Sequence, residues 1–132
     1  MFRRRYRSKR ESRYPHRAAR PAQGPLQPWL LLLLLQKPSH GYELLERLSQ
    51  GEKLPDTDPG FLYRTLRQLE EDGMVHSSWD TEGQGPARRL YRVTPEGSEY
   101  LRAWVANIRS TQQQLVHFLA EYEKYLGTEE ER

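Results

Sequence analysis

PGFLYRTLRQLEEDGMVHSSWDTEGQGPARRLYRVTPEG, residues 59–97, changes its hydrophobic period twice, and those changes decide the fold. Leu62, Leu66 and Leu69 recur at helical spacing and make a buried stripe, while Gly60, Arg64 and Arg67 fall on the opposite side. Asp58 can cap this helix by accepting backbone N–H bonds, and Pro59 suits the first turn, where its missing N–H costs nothing. Gly73 stands where a left-handed cap is needed, so the helix ends near Asp72. The next residues, Met74 to Trp79, take extended spacing. Arg88 to Val93 then alternates polar and apolar side chains as a half-buried strand does. Thr81 to Pro86, between the strands, is polar and glycine-rich, a loop too wet for a core. Thr94-Pro95-Glu96-Gly97 opens another helix, with a capping threonine, a first-turn proline and an acid near the positive end of the helix dipole.

Helix, hairpin and helix in this order form the second half of a winged helix. The first half lies upstream. Trp29 to Leu35 is the most hydrophobic run, yet it is far shorter than the roughly 20 residues a membrane-spanning helix needs. A charged segment precedes it and no small-residue cleavage pattern follows, which argues against export. Because it is apolar all round, this helix should be covered on more than one face, by the winged domain and by a partner subunit, with Leu31 and Leu34 assigned to the partner. Pro38 breaks it. Ser39 can cap the next helix, whose Leu44, Leu45 and Leu48 turn inward; Gly51 closes that helix. His40 reads as a packing or capping residue with no chemistry of its own. The fold class is mainly α with a small β-hairpin: a winged helix-turn-helix domain over residues 26–94 and a long C-terminal dimerisation helix over 95–126. Residues 1–25 are read as a disordered basic arm and 127–132 as an acidic disordered tail.

The chain has 132 residues, enough for one domain with its own core. It has no cysteine, which excludes disulfides, thiolate metal sites and a cysteine nucleophile, and an intracellular, cytoplasmic protein fits that usage. Its formal charge of +3 hides an asymmetry, since residues 1–25 carry +8 and the remainder −5. Such an arm suits non-specific phosphate contacts, and equally a solvated extension with no role.

His40-Gly41-Tyr42-Glu43-Leu44, then Gly60, Leu62-Tyr63 and Leu66, then Leu69-Glu70 and Gly73, then Pro86, Arg88, Tyr91 and the Thr94-Pro95-Glu96-Gly97 turn, resemble the PadR family of bacterial transcriptional regulators. The resemblance covers roughly residues 26–126 and rests on order and spacing as well as residue type. It implies a dimeric repressor of a palindromic operator, in some members released from DNA by phenolic acids or other flat aromatic ligands.

A helix-turn-helix lays its second helix in the major groove, which puts Pro59, Gly60, Tyr63, Arg64 and Arg67 against DNA. Arg64 is the best candidate for reading a base, because a guanidinium bonds guanine in bidentate fashion, with Arg67 on base or phosphate. Both also fit ordinary exposed arginines pairing with Glu70 or Glu71. Ser39 and Tyr42 near the preceding helix start, and Gln84, Arg88 and Arg89 around the wing, complete the assigned DNA side; Tyr42 equally suits packing.

In the last helix Leu101, Ile108, Leu115 and Tyr122 form one row at sevens, and Trp104, Thr111, Phe118 and Tyr125 a second, widened by Val105, Leu119 and Leu126. A helix of this length outruns so small a domain, so Leu101, Trp104, Val105, Ile108, Leu115, Phe118, Leu119 and Tyr122 are assigned to a homodimer interface. By resemblance, Tyr100, Trp104 and Ile108 are candidates for an aromatic-ligand pocket, although Trp104 also fits plain interface core. His16, His40, His76 and His117 lack metal-ligand spacing, and there is no phosphate-binding glycine loop or nucleophile elbow. The expectation is therefore a DNA-binding protein without enzymatic activity, metal or cofactor. The alternatives are a winged-helix module for protein partners, favoured by the acidic balance of residues 26–132, and a ligand-binding dimer without operator recognition.

Overall fold

The computed structural model describes residues 25–83 and 85–131, and the side chains of residues 25–83 and 85–129. The basic arm, Pro25 excepted, therefore lies outside the described residues, as does Gln84. The elements run α1 (Leu26–Gln36), β1 (Ser39–His40), α2 (Gly41–Ser49), α3 (Pro59–Glu71), β2 (Val75–Asp80), β3 (Arg88–Val93) and α4 (Pro95–Glu131). The chain divides into two compact units, one up to Leu101 and one from Arg102.

In the first unit the capping chemistry of α3 sets its limits. Asp58 Oδ2 accepts the Phe61 N–H at 2.8 Å and Pro59 occupies the first turn. At the other end Gly73 takes φ 79°, which lets the Met74 N–H reach back to the Leu69 carbonyl at 2.8 Å. The chain then reverses into β2. Thr94 fixes the same corner from the far side: its hydroxyl donates to the Gly73 carbonyl at 2.7 Å while the hydroxyl oxygen accepts the Gly97 N–H at 3.0 Å. One side chain thus ends the hairpin and starts α4.

The sheet has three antiparallel strands in the order β1-β3-β2, one more than the sequence reading gave. Ser39 pairs with Tyr91 and His40 with Leu90. Two residues are too few to show a period of two, so the sequence carries no strand signal there. The cap of α2 differs for the same reason. Ser39 is consumed by the strand, and His40 is the N-cap, with its N–H donating to Glu43 Oε1 at 2.7 Å.

The core is largely leucine. Leu30, Leu31, Leu33 and Leu34 of α1, Leu44 and Leu48 of α2, and Leu62, Leu66 and Leu69 of α3 are all sealed from solvent. Each contributes about 1.5–3 kcal/mol relative to an exposed position. α1 packs against α2, α3 and β3, so its own chain covers most of its circumference. This corrects the assignment of Leu31 and Leu34 to a partner: at 0% and 2% exposure, neither has surface to offer. The leucines left outward on α1 are Leu32 and Leu35. Leu101, also assigned to the interface, is likewise buried, and Tyr100 ties the base of α4 to α1 by donating its hydroxyl to Gln27 Oε1 at 2.7 Å.

The second unit is helical to Glu131, so the expected break at residue 126 does not occur. No proline intervenes, and a string of glutamates, which are good helix formers, outweighs the single Gly127. Thr128 returns its hydroxyl to the Lys124 carbonyl at 3.1 Å. At about 1.5 Å per residue the 37 residues of α4 extend roughly 55 Å. Ile108, Leu115, Phe118, Leu119 and Tyr122 are exposed along it, with Phe118 and Tyr122 stacked at 6.5 Å. No described helix is long and apolar enough to cross a membrane.

Gly41 sets the closest approach of α2 to α3, because a Cβ built there would overlap the Tyr63 ring. Gly41→Ala should lower stability by about 1 kcal/mol in urea unfolding, and by clearly less in a Tyr63→Ala background, where the ring is gone. Equal losses in both backgrounds would place the cost elsewhere.

Candidate nucleic-acid interface

The stripe that buries Leu62, Thr65, Leu66 and Leu69 turns Gly60, Tyr63, Arg64 and Arg67 outward. Among the described residues neither arginine forms an ion pair. Their alternative partner is occupied: Glu70 Oε2 accepts the Ser77 N–H at 3.2 Å and the Ser77 hydroxyl at 2.8 Å, joining α3 to β2. Arg64 Nη1 lies over Gly60, where a Cβ would come within 3.2 Å of it. Both guanidiniums and the positive end of the α3 dipole therefore share one open face. Tyr91, opposite Ser77 in the sheet register, is buried, and that burial raises its phenol pKa, with the Glu70 carboxylate adding to the effect.

Ser39 does not belong to this face. It is fully buried, and its hydroxyl oxygen accepts Arg47 Nη1 at 2.8 Å, while Arg47 Nη2 also donates to the Leu33 carbonyl at 3.0 Å. Its placement beside a helix start resembles a cap, which is why the sequence put it near DNA; the short strand carries it inward. Tyr42 is exposed and half engaged. Its ring stacks on His40 at 5.5 Å, the Arg88 guanidinium lies over it at 5.0 Å, and its hydroxyl accepts Arg88 Nη1 at 2.6 Å.

His40 holds more than the sequence reading gave it. Its Nε2 lies 2.9 Å from Asp80 Oδ2 and its Nδ1 2.9 Å from Glu43 Oε1, so one imidazole stands between carboxylates of α2 and β2. The Nδ1 contact is off the hydrogen-bond line. The Glu43 pKa is lowered chiefly by the His40 N–H that it accepts; that of Asp80 is lowered chiefly by the Glu82 N–H and next by the His40 ring. Together with Arg88 on Tyr42, this group fastens the hairpin to the start of α2. The signal for it was scattered over 49 positions, from His40 to Arg88, and no local pattern could assemble it.

Arg89 points to the opposite sheet face from Arg88, as strand alternation requires. It donates to Ser77 Oγ at 2.9 Å and lies over the Trp79 ring at 4.6 Å. Trp79, absent from the sequence-stated site, pairs with Arg89 in register and remains 61% exposed. Of the residues assigned to ligand or interface, Trp104 is buried and Ile108 is exposed. Among the described residues no group of three metal-ligating side chains occurs.

The model of the transcriptional regulator PadR-like family matches residues 30–103. The chain is 44% identical over 59 residues to the transcriptional regulator Rv3488 of Mycobacterium tuberculosis, an alignment that spans 44% of this chain and 51%, about half, of the relative. Among solved structures it is similar to a PadR family transcriptional regulator from Eggerthella lenta, with 32% identity, TM-score 0.59 and coverage of 67% of this chain and 79% of that one. It also shares its fold with Bacillus subtilis PadR in complex with operator DNA, at 20% identity and TM-score 0.55, over 61% of this chain and 46% of that one. With the family model matched over more than half its length, the chain belongs to the PadR-like family of transcriptional regulators.

Proposed function

We propose that the chain is a homodimeric, sequence-specific DNA-binding repressor that reads a palindromic operator through α3. The observation that carries this reading is the open, unpaired Arg64 and Arg67 on the outer face of a helix anchored by leucines and capped by Asp58. A similar fold holds operator DNA in the Bacillus subtilis PadR complex. Arg64 and Tyr63 then meet base edges, Arg67 a base or phosphate, and Pro59 and Gly60 let the helix start approach the backbone closely. Dimerisation rests on the apolar row of α4: Ile108, Leu115, Phe118 and Leu119 are too exposed and too contiguous for a solvated helix. A two-fold dimer calls for two half-sites related by symmetry. Release by a small aromatic effector belongs to the same reading and derives from the family resemblance alone. A second reading, a winged-helix module for a protein partner, draws on the charge of −5 over residues 26–132.

Fluorescence anisotropy with DNA from upstream of the chain's own gene separates the two. The wild type should prefer that DNA over a scrambled duplex, and Arg64→Ala with Arg67→Ala should erase a preference of about 10- to 100-fold. Equal binding of both duplexes by both proteins would favour the protein-partner reading. In sedimentation velocity the wild type should run as a dimer, and Leu115→Glu with Phe118→Glu as a monomer with unchanged helix content. An unchanged mass would remove α4 from the interface.

A further inference from the structure

One imidazole lies between two carboxylates where the hairpin meets the start of α2, and nothing in the DNA-binding reading uses its proton. We propose that His40 is a pH-dependent clasp: uptake of a second ring proton from solvent fastens the hairpin to α2, and operator binding strengthens with it as the pH falls from about 8 to about 6. The effect on DNA rests on the DNA-binding reading. The clasp itself does not.

The geometry gives the two forms of the ring unequal partners. Nε2 stands 2.9 Å from Asp80 Oδ2 on β2, and Nδ1 stands 2.9 Å from Glu43 Oε1 on α2. A neutral imidazole has one N–H and one lone pair, so whichever nitrogen holds the proton, the other leaves its lone pair beside a carboxylate oxygen. With the proton on Nε2 the ring donates to Asp80, and Nδ1, sealed from solvent, has no hydrogen-bond partner. With the proton on Nδ1 the bond to Asp80 is lost. Only the imidazolium presents an N–H to both anions, in a directional bond at Asp80 and by charge at Glu43. The ring has little room to turn away: its side chain is 14% exposed, it stacks on Tyr42 at 5.5 Å, and its residue pairs with Leu90 of β3.

The other charges around the ring are cationic. Arg88 of β3 stands opposite Asp80 in the strand register and lies over Tyr42, and Lys37, ahead of β1, acts on Glu43. Both oppose a positive ring, but both are exposed and screened by water, whereas the two carboxylates touch it. The signs of the two titrations differ. The Glu43 pKa is lowered chiefly by the His40 backbone N–H and that of Asp80 chiefly by the Glu82 N–H, so their contribution is present above the ordinary carboxylate range and is lost as the pH falls below it. An imidazolium held by anions contributes in acid and loses that contribution as the pH rises through the imidazole range, about 6.5 in water. Between the two ranges, at about pH 5–6, the clasp is tightest.

A double-mutant cycle over His40→Gln and Asp80→Asn, measured by urea unfolding of the full chain, reads the clasp without DNA. The coupling should be about three- to fivefold larger in the unfolding equilibrium constant at pH 6 than at pH 8. Equal coupling at both pH values would mean a hydrogen bond from a neutral ring and would overturn the proposal. His76→Gln, an exposed neighbour on β2, should keep the wild-type pH dependence. Where His40→Gln does not fold, Asp80→Asn and Glu43→Gln carry the comparison, each costing more stability at pH 6 than at pH 8. Fluorescence anisotropy with the operator then reads the consequence: lowering the pH from 8 to 6 should tighten wild-type binding by about threefold more than binding of the folded His40→Gln or Asp80→Asn chain. Parallel pH profiles of affinity would overturn the link from the clasp to DNA. A pH-dependent coupling in a chain that binds no DNA at either pH would uphold the clasp and sink the DNA-binding reading instead.

Discussion

Burial of Leu62, Leu66 and Leu69 against α1 is the interaction on which the arrangement depends. α3 has 13 residues, and that stripe chiefly sets its rotation, because Arg64 and Arg67 on its outer face make no ion pair among the described residues. Each leucine contributes about 1.5–3 kcal/mol, against a few tenths for a surface charge pair, so the apolar side decides which way the helix faces. The outward direction of Arg64 and Arg67 is a consequence of packing behind them. The leucines of α1, which the sequence made apolar all round, form the wall that receives the stripe.

Polar contacts then orient the hairpin on this helical base from two sides. On one face Glu70, Ser77, Arg89 and Trp79 tie β2 and β3 to α3. On the other, Asp80, His40, Tyr42 and Arg88 tie them to the start of α2. The hairpin is therefore braced against both helices of the helix-turn-helix. Thr94 closes the third corner, where one hydroxyl serves the end of α3 and the start of α4.

The local rules were legible wherever one residue type had one physical job. Asp58, Pro59, Gly73 and Thr94 each announced a helix limit, and each stands at that limit. Legibility failed where the outcome depended on partners distant in sequence. Ser39 reads as a cap because serine near a helix start usually is one, yet pairing with Tyr91 draws it into the core. Leu31 and Leu34 cannot be told from Leu32 and Leu35 by composition, since every neighbour is leucine and only the tertiary packing selects the outward pair. A tryptophan near the end of a strand more often packs than faces water, and nothing local reveals that Trp79 stays exposed beside Arg89.

The central claim is that α3, presented by a two-fold dimer, reads DNA. Hydroxyl-radical footprinting of the full chain on DNA upstream of its own gene addresses it most directly. The account predicts two protected patches related by symmetry, their centres separated by about one helical turn or a multiple of it. Diffuse protection that follows the chain to any sequence, or none at concentrations where the protein is folded and dimeric, would contradict it.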